Sequence, residues 1–176
     1  MILLFTGNGK GKTTAAMGQG LRVFGNGGKV ICFQFIKSRK WPTGEEKAIA
    51  KLGGRFRLIK GGQGFVGIMG DKLPIAIHKK AAVETLRRAK KALVSKKYDL
   101  VILDEVNVAL SLKLVKLKDV LVLIKKTPSA TDLVLTGRSD LGTSSALRSY
   151  ADIMTEFREV KHPYKKGVQG KRGREY

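Results

Sequence analysis

A glycine-rich loop near the start of the chain restricts the fold more than any other sequence feature. Residues 6–14 read TGNGKGKTT, and they stand between the apolar run of residues 2–5 and a stretch of helical character that begins near Lys12. Glycines at alternate positions let the backbone turn tightly and point its N–H groups at a phosphate. The helix that follows would add the partial positive charge of its N-terminus. The pattern therefore predicts a nucleotide-binding strand–loop–helix unit.

The side chains of this loop have separate predicted tasks. Lys12 would reach phosphate oxygens, and the hydroxyl of Thr13 would bind a Mg²⁺ ion. The residues predicted to bind ATP here are Gly7, Asn8, Gly9, Lys10, Gly11, Lys12, Thr13 and Thr14. Thr6 stands where the usual pattern, G-x-x-x-x-G-K-[S/T], begins with glycine. The order of strand, Gly-Lys-Thr and helix outweighs that departure; the alternative is a glycine-rich turn without a ligand.

Two acids form the second half of the predicted site. Four apolar residues, Leu100 to Leu103, lead into Asp104 and Glu105. A hydrophobic strand that ends in acids is the usual partner of a phosphate loop, and it would deliver them to the carboxyl edge of the sheet. Asp104 and Glu105 are therefore predicted to hold Mg²⁺, or equally Mn²⁺, directly or through water. The alternative is that they cap the next short helix.

Two arginines are weaker candidates for contacts with the nucleotide. Arg138 follows Thr136 and Gly137 at the end of another predicted strand, at the same edge of the sheet. Arg22 lies in the first predicted helix. An arginine near a polyphosphate would pair with its oxygens. The alternative for both residues is a solvated surface arginine.

Apolar runs and helical spacing alternate along the chain. Strands are predicted over residues 2–6, 29–36, 55–60, 99–105, 132–137 and 152–158. Helices are predicted over residues 12–24, 74–96, 116–126 and 143–150, with a polar loop over 37–47 and a mobile, glycine-rich loop over 61–70. This alternation predicts an α/β fold with a mostly parallel sheet and helices on both faces. Residues 1–160 would form one domain, and the basic tail of residues 161–176 would pack on or near it.

The charge balance and the cysteine content limit the partners and the chemistry. The chain has 35 Lys and Arg against 14 Asp and Glu, which gives a net charge of +21. Such a surface attracts nucleic acid, a nucleotide triphosphate or an acidic protein. The alternative is a solvated surface without such a partner. The single cysteine, Cys32, lies in an apolar run, which favours a buried thiol over a disulfide, a metal site or a nucleophile.

The cellular location is predicted from two features. No apolar run approaches the ~20 residues that cross a bilayer. The phosphate loop follows Met1 so closely that a signal peptide has no room. A cytoplasmic protein without membrane contact is therefore expected.

Several short segments, taken together, point to one family. They are FTGNGKGKTTAA (5–16), QFIK (34–37), WPTGE (41–45), GF (64–65), VILDE (101–105), VLTGR (134–138), AD (151–152), TE (155–156) and KHPYKKGVQGKRGREY (161–176). They span nearly the whole chain, and in order and content they resemble the ATP:corrinoid adenosyltransferases of the bacterial and archaeal cobalamin pathway. The threonine that opens the loop is itself typical of that family.

The resemblance implies a P-loop NTPase fold with a RecA-like sheet, and a homodimer. It implies that Co(I) of cobalamin or a precursor corrinoid attacks the 5′ carbon of ATP, and that triphosphate leaves as one unit. An acidic electron donor such as a flavodoxin would reduce the corrinoid. Because reduced cobalt is already a strong nucleophile, no side-chain base is needed. The catalytic tasks of Lys12, Thr13 and Glu105 would then be to stabilise the departing charge, directly or through the metal.

The aromatic residues expected beside the corrinoid depart from the family pattern. The resemblance implies a Phe-x-Trp pair that excludes the lower axial ligand of cobalt. Phe65 matches the phenylalanine, but Gly67 stands at the tryptophan position. Either Phe65 acts alone, or Trp41 or another aromatic residue assists it, or the corrinoid is activated more weakly. Phe65 and Trp41 are therefore the candidate corrinoid contacts.

Two other functions compete with this hypothesis. The first is a nucleic-acid-stimulated ATPase, which the positive charge favours. The basic residues, however, are spread along the chain, and only 7% of the residues are aromatic and available to stack on bases. Nucleic acid is therefore not the favoured partner. The second is a non-catalytic regulatory protein that binds ATP, which the departure at Gly67 leaves open.

Overall fold

A parallel β-sheet forms the centre of the structure. The computed structural model describes residues 1–68, 70–138, 141–162 and 173, with the backbone alone for 141–144. The strands found there are β1 (Ile2–Thr6), β2 (Val30–Gln34), β3 (Phe56–Lys60), β4 (Leu100–Asp104), β5 (Asp132–Thr136) and β6 (Ile153–Glu156). They lie in the order β3–β2–β4–β5–β1–β6, and every pairing is parallel.

Helices cover both faces of this sheet. They are α1 (Lys12–Gly25), α2 (Gly44–Lys51), α3 (Ile75–Val94), α4 (Val106–Ser111), α5 (Leu117–Lys125) and α6 (Leu141–Arg148). Because successive residues of a strand point to opposite faces, the strands supply two cores. Leu4, Phe33 and Leu103 pack on the side of α3, α4 and α5, whereas Phe5 and Cys32 pack on the side of α1 and α2. The predicted α/β fold with helices on both faces is confirmed.

The central strands are buried along their whole length. All five residues of β2 and all five of β4 are buried, as expected for parallel strands covered on both faces. Each of these two strands nevertheless ends in a polar residue, Gln34 and Asp104. Burying such groups is costly unless they are hydrogen-bonded. The carboxyl ends of β2 and β4 therefore require partners there.

The strand order brings the predicted site residues to one edge. Strand β5 lies between β1 and β4, with Phe5 opposite Thr136 and Leu103 opposite Leu135. The loop after β1, the acids after β4 and the Thr136–Arg138 segment after β5 thus leave the sheet at the same end. This is the edge at which open α/β sheets bind ligands.

The helix α2 corrects the prediction of a loop over residues 37–47. It begins at Gly44, after Thr43 in an extended conformation, and runs to Lys51. Glu45 and Glu46 in its first turn and Lys51 in its last turn match the helix dipole. Ile49 is buried and anchors the helix. The glycine of the predicted turn is therefore also the first residue of a helix.

Other predicted elements differ mainly at their ends. Strand β2 ends at Gln34 and β6 at Glu156, two residues earlier than predicted in each case. The helix α4 follows Asp104 and Glu105. It is the short helix of the alternative in which these two acids act as a helix cap. Cys32 is fully buried, as predicted, and burial raises the pKa of its thiol well above the usual value. The tail prediction for 161–176 falls mostly on residues 163–172 and 174–176, which lie outside the described residues.

Membrane insertion through a helix finds no support in the part of the chain that the structure describes. None of its helices combines the length and the apolar character needed to span a bilayer.

We predict that two neighbouring glycines of α1 respond oppositely to alanine. A Cβ atom at Gly20 would lie 2.6 Å from the ring of the buried Phe56, whereas nothing lies within 4 Å of a Cβ at Gly18. Gly20→Ala should lower the free energy of unfolding by about 1–3 kcal/mol because it overpacks the core. Gly18→Ala should raise it by roughly 0.5–1 kcal/mol through helix propensity. Urea unfolding of both variants checks this, and a stabilised Gly20→Ala variant would contradict the packing described for α1.

Candidate nucleotide-binding site

The glycine-rich loop connects β1 to α1 in a conformation that other residues rarely adopt. Gly7 has a φ of 97° and Gly11 a φ of 114°, both in the left-handed region that glycine tolerates best. Gly11 stands directly before the first residue of α1. The loop therefore has the backbone freedom that was predicted for it.

A second reason for glycine in this loop was not foreseen from the sequence. The N–H group of Gly9 donates a hydrogen bond of 2.7 Å to the carbonyl oxygen of Phe157. A Cβ atom at Gly9 would lie 2.7 Å from the backbone of Arg158, and one at Gly7 would collide with the backbone of Phe157. The segment that leaves β6 thus lies directly on the loop. Only glycine permits this close approach.

Lys12 already lies over the loop that it was predicted to serve. Its ammonium donates hydrogen bonds to the carbonyl oxygens of Gly7, at 2.7 Å, and Gly9, at 2.6 Å. Burial lowers the pKa of this ammonium, and the nearby charge of Arg138 lowers it further. Glu105 and Asp104 act in the opposite direction. The charge of Lys12 is thus held where a phosphate would meet it.

Asp104 joins three elements of the fold through its carboxylate. Oδ1 accepts hydrogen bonds of 2.8 Å from the hydroxyls of Thr13 and Thr136, and Oδ2 accepts one of 2.9 Å from Nε2 of Gln34. The residue has an exposed fraction of 0%. Both of its oxygens thus accept protein donors, and the carboxylate holds Thr13 at the start of α1.

Glu105 has a strained backbone and a perturbed carboxyl group. Its φ of 64° and ψ of 21° are left-handed, although it is not glycine, and its N–H donates to Oγ1 of Thr136 at 3.0 Å. Such a conformation costs about 1–2 kcal/mol and often occurs at functional sites. Burial, followed by the charge of Asp104, raises the pKa of the Glu105 carboxyl.

Cations surround the Glu105 carboxyl and partly oppose this rise. Lys37, Lys12 and Arg138 each act to lower the pKa of Glu105. The structure thus brings four predicted residues close enough to influence one another: Lys12, Asp104, Glu105 and Arg138.

Arg138 also borders a cavity beside the loop. The cavity has a volume of about 380 Å³. Its lining residues are Asn8, Arg138, Glu156, Phe157, Arg158 and Glu159. Asn8, Lys10 and Thr14 are exposed around the loop.

The structure does not bring Arg22 to the loop. Arg22 is exposed in the last turn of α1. Ten residues separate it from Lys12, which corresponds to about 15 Å along a helix. The predicted contact between Arg22 and the nucleotide stays a prediction.

The two candidate corrinoid residues lie on neighbouring loops after β2 and β3. Trp41 has an exposed fraction of 69% and Phe65 one of 48%. The N–H of Gly64 donates to the carbonyl oxygen of Ile36 at 2.9 Å, which holds the two loops side by side.

Buried Lys60 anchors the Trp41 loop. Its ammonium donates to the carbonyl oxygen of Trp41 at 2.6 Å and to Oε2 of Glu46 at 2.7 Å.

The carboxylate of Asp71 braces the loop at Gly67. The carboxylate of Asp71 accepts hydrogen bonds from the N–H groups of Gly67, at 2.9 Å, and Leu73, at 3.1 Å. Nε2 of the buried His78 lies 3.0 Å from the same carboxylate, although not aligned as a good hydrogen bond. The backbone N–H donors, first of all that of Gly67, lower the pKa of Asp71. This loop is thus tied to α3 at the position where the family pattern has tryptophan.

Sequence reasoning missed several of the residues that shape these sites. No role in the site was predicted for Gln34, Thr136, Lys60 or Asn107. Asn107 donates through Nδ2 to the carbonyl oxygen of Gly137 at 3.1 Å and so ties α4 to the end of β5. A polar residue at the end of an otherwise apolar strand, as at Gln34, is the signal that would have found one of them.

The donor atoms at the carboxyl edge determine which metals they could bind. Among the described residues, no group of three or more His, Cys, Asp and Glu side chains is clustered as a metal site. The edge instead offers hydroxyl and carboxyl oxygens from Thr13, Asp104 and Glu105. Such a set suits a hard cation that shares its coordination with phosphate and water.

Comparison with solved structures supports the fold. The flagellar accessory protein FlaH from Methanocaldococcus jannaschii superposes with a TM-score of 0.60 at 10% sequence identity. The match covers 88% of this chain and 69% of FlaH. At this level of identity the similarity concerns the fold alone.

Comparison with known sequences identifies the family. The chain is 34% identical to the corrinoid adenosyltransferase of Escherichia coli (strain K12), over all of this chain and 85% of that protein. It is 31% identical to the corrinoid adenosyltransferase of Salmonella typhimurium, with the same coverage, and 34% identical to that of Pseudomonas aeruginosa, over 83% of the latter. The family model for ATP:corrinoid adenosyltransferase BtuR/CobO/CobP matches residues 1–176. This chain therefore belongs to the ATP:corrinoid adenosyltransferase family.

Proposed function

We propose that this protein transfers the 5′-deoxyadenosyl group of ATP to the Co(I) centre of a corrinoid and releases triphosphate. The observation that carries the proposal is the family match over residues 1–176, together with a phosphate loop whose lysine is already in place. The family match also disfavours the two competing functions, a nucleic-acid-stimulated ATPase and a non-catalytic regulator.

The reaction balances without an acid or base from the protein. The electron pair of Co(I) forms the bond to C5′ of ATP, and the C5′–O bond breaks with its electron pair leaving on triphosphate. Cobalt is formally oxidised from Co(I) to Co(III). The protein must therefore place C5′ in line with cobalt and stabilise the leaving group. Positioning of this kind supplies up to ~7–11 kcal/mol of barrier reduction.

The loop is suited to holding the leaving triphosphate. Its backbone N–H groups and the ammonium of Lys12 would bind the phosphate oxygens. Lys12 would then exchange its bonds to Gly7 and Gly9 for bonds to phosphate. Arg138 borders the cavity beside the loop and would meet phosphate or ribose oxygens. The roles of Asn8, Lys10 and Thr14 rest on their place in the loop sequence.

The residues at the carboxyl edge fit a Mg²⁺ ion, or Mn²⁺. The hydroxyl of Thr13 donates a hydrogen bond to Asp104, so the lone pairs of the Thr13 oxygen are free for a cation. Oε1 of Gln34 is buried beside this pair without a hydrogen-bond partner in the described structure, so it suits a bound water. Thr13 would bind the ion, Asp104 would orient Thr13, and Glu105 would add a carboxylate. When bound, the ion neutralises charge on the triphosphate.

The corrinoid side of the site is proposed for the loops after β2 and β3. Phe65 and Trp41 present exposed aromatic surface on neighbouring loops, which supports a shared role beside the corrinoid. The bond from Lys60 to the carbonyl of Trp41 would hold that tryptophan in place. We further propose a homodimer and an acidic electron donor such as a flavodoxin. The cytoplasmic location stays a prediction.

The first test is direct. Purified protein, ATP, Mg²⁺ and chemically reduced cobalamin, mixed without air, should give the visible spectrum of adenosylcobalamin and intact triphosphate. Lys12→Ala should lower product formation at least tenfold and keep the folded-state circular dichroism. Tight ATP binding by the wild-type protein without any adenosylcobalamin would refute the proposal.

Glu105 gives a prediction in which stability and activity move in opposite directions. Because its pKa is raised in the folded state, the unfolded chain ionises first, so the folded state loses stability as pH rises through the folded pKa. Glu105→Gln removes this cost. We expect a higher Tm than that of the wild type at neutral pH, no difference in acid, and a kcat/KM at least tenfold lower.

Glu84→Gln is the matched control for that substitution. Glu84 is exposed, and its hydrogen bonds from Arg87 lower the pKa of its carboxyl, so its loss should not raise the Tm. A Glu105→Gln variant with lower Tm and full activity would show that the carboxylate serves the fold alone.

The net charge of +21 predicts a salt effect on the electron donor. Attraction between a basic enzyme and an acidic flavodoxin is screened by salt. Raising the ionic strength should slow turnover driven by reduced flavodoxin much more than turnover driven by a chemical reductant. Equal slowing of the two assays would exclude electrostatic docking of the donor.

A further inference from the structure

A second cavity lies away from the phosphate loop, between the loops after β2 and β3 and the helix α3. Its volume is about 440 Å³. We call it the basic crevice and define it by Ser38, Arg39, Lys40, Gly62, Thr85 and Arg88. No residue of the phosphate loop is in its lining. A ligand in the crevice would therefore not compete with triphosphate for the loop.

The charges of the crevice favour an anion. Arg39, Lys40 and Arg88 line it and are exposed, and among the described residues no carboxylate forms an ion pair with them. The acidic residue of the lining, Glu84, accepts two hydrogen bonds of 2.7 Å from Arg87. Arg88 also lies close enough to lower the pKa of the Glu84 carboxyl, but the three cations outnumber this one carboxylate. Arginine and lysine around a concave site are suited to binding oxyanions.

An unsatisfied hydroxyl lies in the same crevice. Ser38 has an exposed fraction of only 5%, and its Oγ has no hydrogen-bond partner in the described structure. Leaving a buried hydroxyl unbonded is unfavourable, so such groups usually meet a ligand or a water. An oxyanion would accept hydrogen bonds from the hydroxyl of Ser38 and from the N–H groups of the cations.

Two glycines, Gly61 and Gly62, form one wall of the crevice. A Cβ atom at Gly62 would collide with the carbonyl oxygen of Ile36, and one at Gly61 would collide with the hydroxyl of Thr85. Thr85 is itself fixed by a 2.8 Å bond to the carbonyl oxygen of Ala81. The backbone at this wall therefore packs tightly, and no side chain from it enters the crevice.

The position of the crevice relates it to the second substrate. Lys40 precedes Trp41, and Gln63, which also lines the crevice, lies two residues before Phe65. Trp41 and Phe65, the two candidate corrinoid residues, thus lie on the same two loops that line the crevice. We propose that the basic crevice binds an oxyanion on the periphery of the corrinoid, namely the phosphodiester of a corrinoid that carries a nucleotide loop. This inference rests on the proposed function and deepens it by naming a class of preferred substrate.

The test measures binding, so that it does not depend on turnover. Trp41 is the only tryptophan of the chain, and it is exposed beside the crevice. Its fluorescence should be quenched by a bound Co(III) corrinoid in the presence of ATP. Two probes differ in the relevant group: hydroxocobalamin has the phosphodiester, and cobinamide lacks the nucleotide loop.

We expect Arg88→Gln and Arg39→Gln each to raise the Kd for hydroxocobalamin at least fivefold and that for cobinamide less than twofold. Ser38→Ala should act in the same direction. Lys91→Gln, which removes one positive charge from an exposed position on α3 outside the crevice, should leave both values unchanged. In turnover assays the KM for cobalamin should rise while kcat stays constant.

Three outcomes would overturn the inference. Equal weakening of both corrinoids would show general electrostatic attraction, unchanged binding would exclude the crevice, and weakened ATP binding would assign it to the nucleotide. Failure of the proposed function is distinguishable, since it would abolish adenosylcobalamin formation in the wild-type protein whatever the variants bind.

Discussion

A single buried carboxylate, that of Asp104, holds the functional edge of this protein together. It receives donors from the start of α1, from the end of β5 and from the end of β2. A charge without access to water is tolerated only when its hydrogen bonds are complete. The buried donor groups of Gln34 and Thr136 depend on Asp104 in turn, because each would lose a hydrogen-bond partner if the carboxylate were removed. The start of α1 with the hydroxyl of Thr13, the end of β5 and the neighbouring Glu105 all take their positions from this network.

Much of the fold could be predicted, for reasons that lie in particular residues. The apolar run of Leu100 to Leu103 is too short for a helix and is bounded by acids, and the glycine-rich loop demands a strand before it and a helix after it. The helix α2 was missed because only Ile49 of its eight residues is buried, so it has little apolar periodicity. The sequence features that indicate this helix are Glu45 and Glu46 in its first turn, but both fall within the predicted polar loop of residues 37–47.

The candidate site was predictable where motifs carry the chemistry and not where tertiary contacts do. Lys12, Thr13, Asp104 and Glu105 converge because parallel strands end at one edge. The task of Lys60 depends on contacts with residues 14 and 19 positions away in sequence, and no local pattern records them. Arg22 belongs to the same helix as Lys12 but lies in its last turn, so its place in the sequence does not by itself bring it to the loop.

The contact between Gly9 and Phe157 has a consequence for how the protein is made. Gly9 belongs to the loop after β1 and Phe157 to the segment that leaves β6, so the loop is synthesised well before the backbone that braces it. A nascent chain that has emerged only as far as β5 possesses the nucleotide-binding sequence but not the backbone that braces it. The loop therefore gains this support only once β6 and the residues that follow it have been synthesised, which is after β1 to β5.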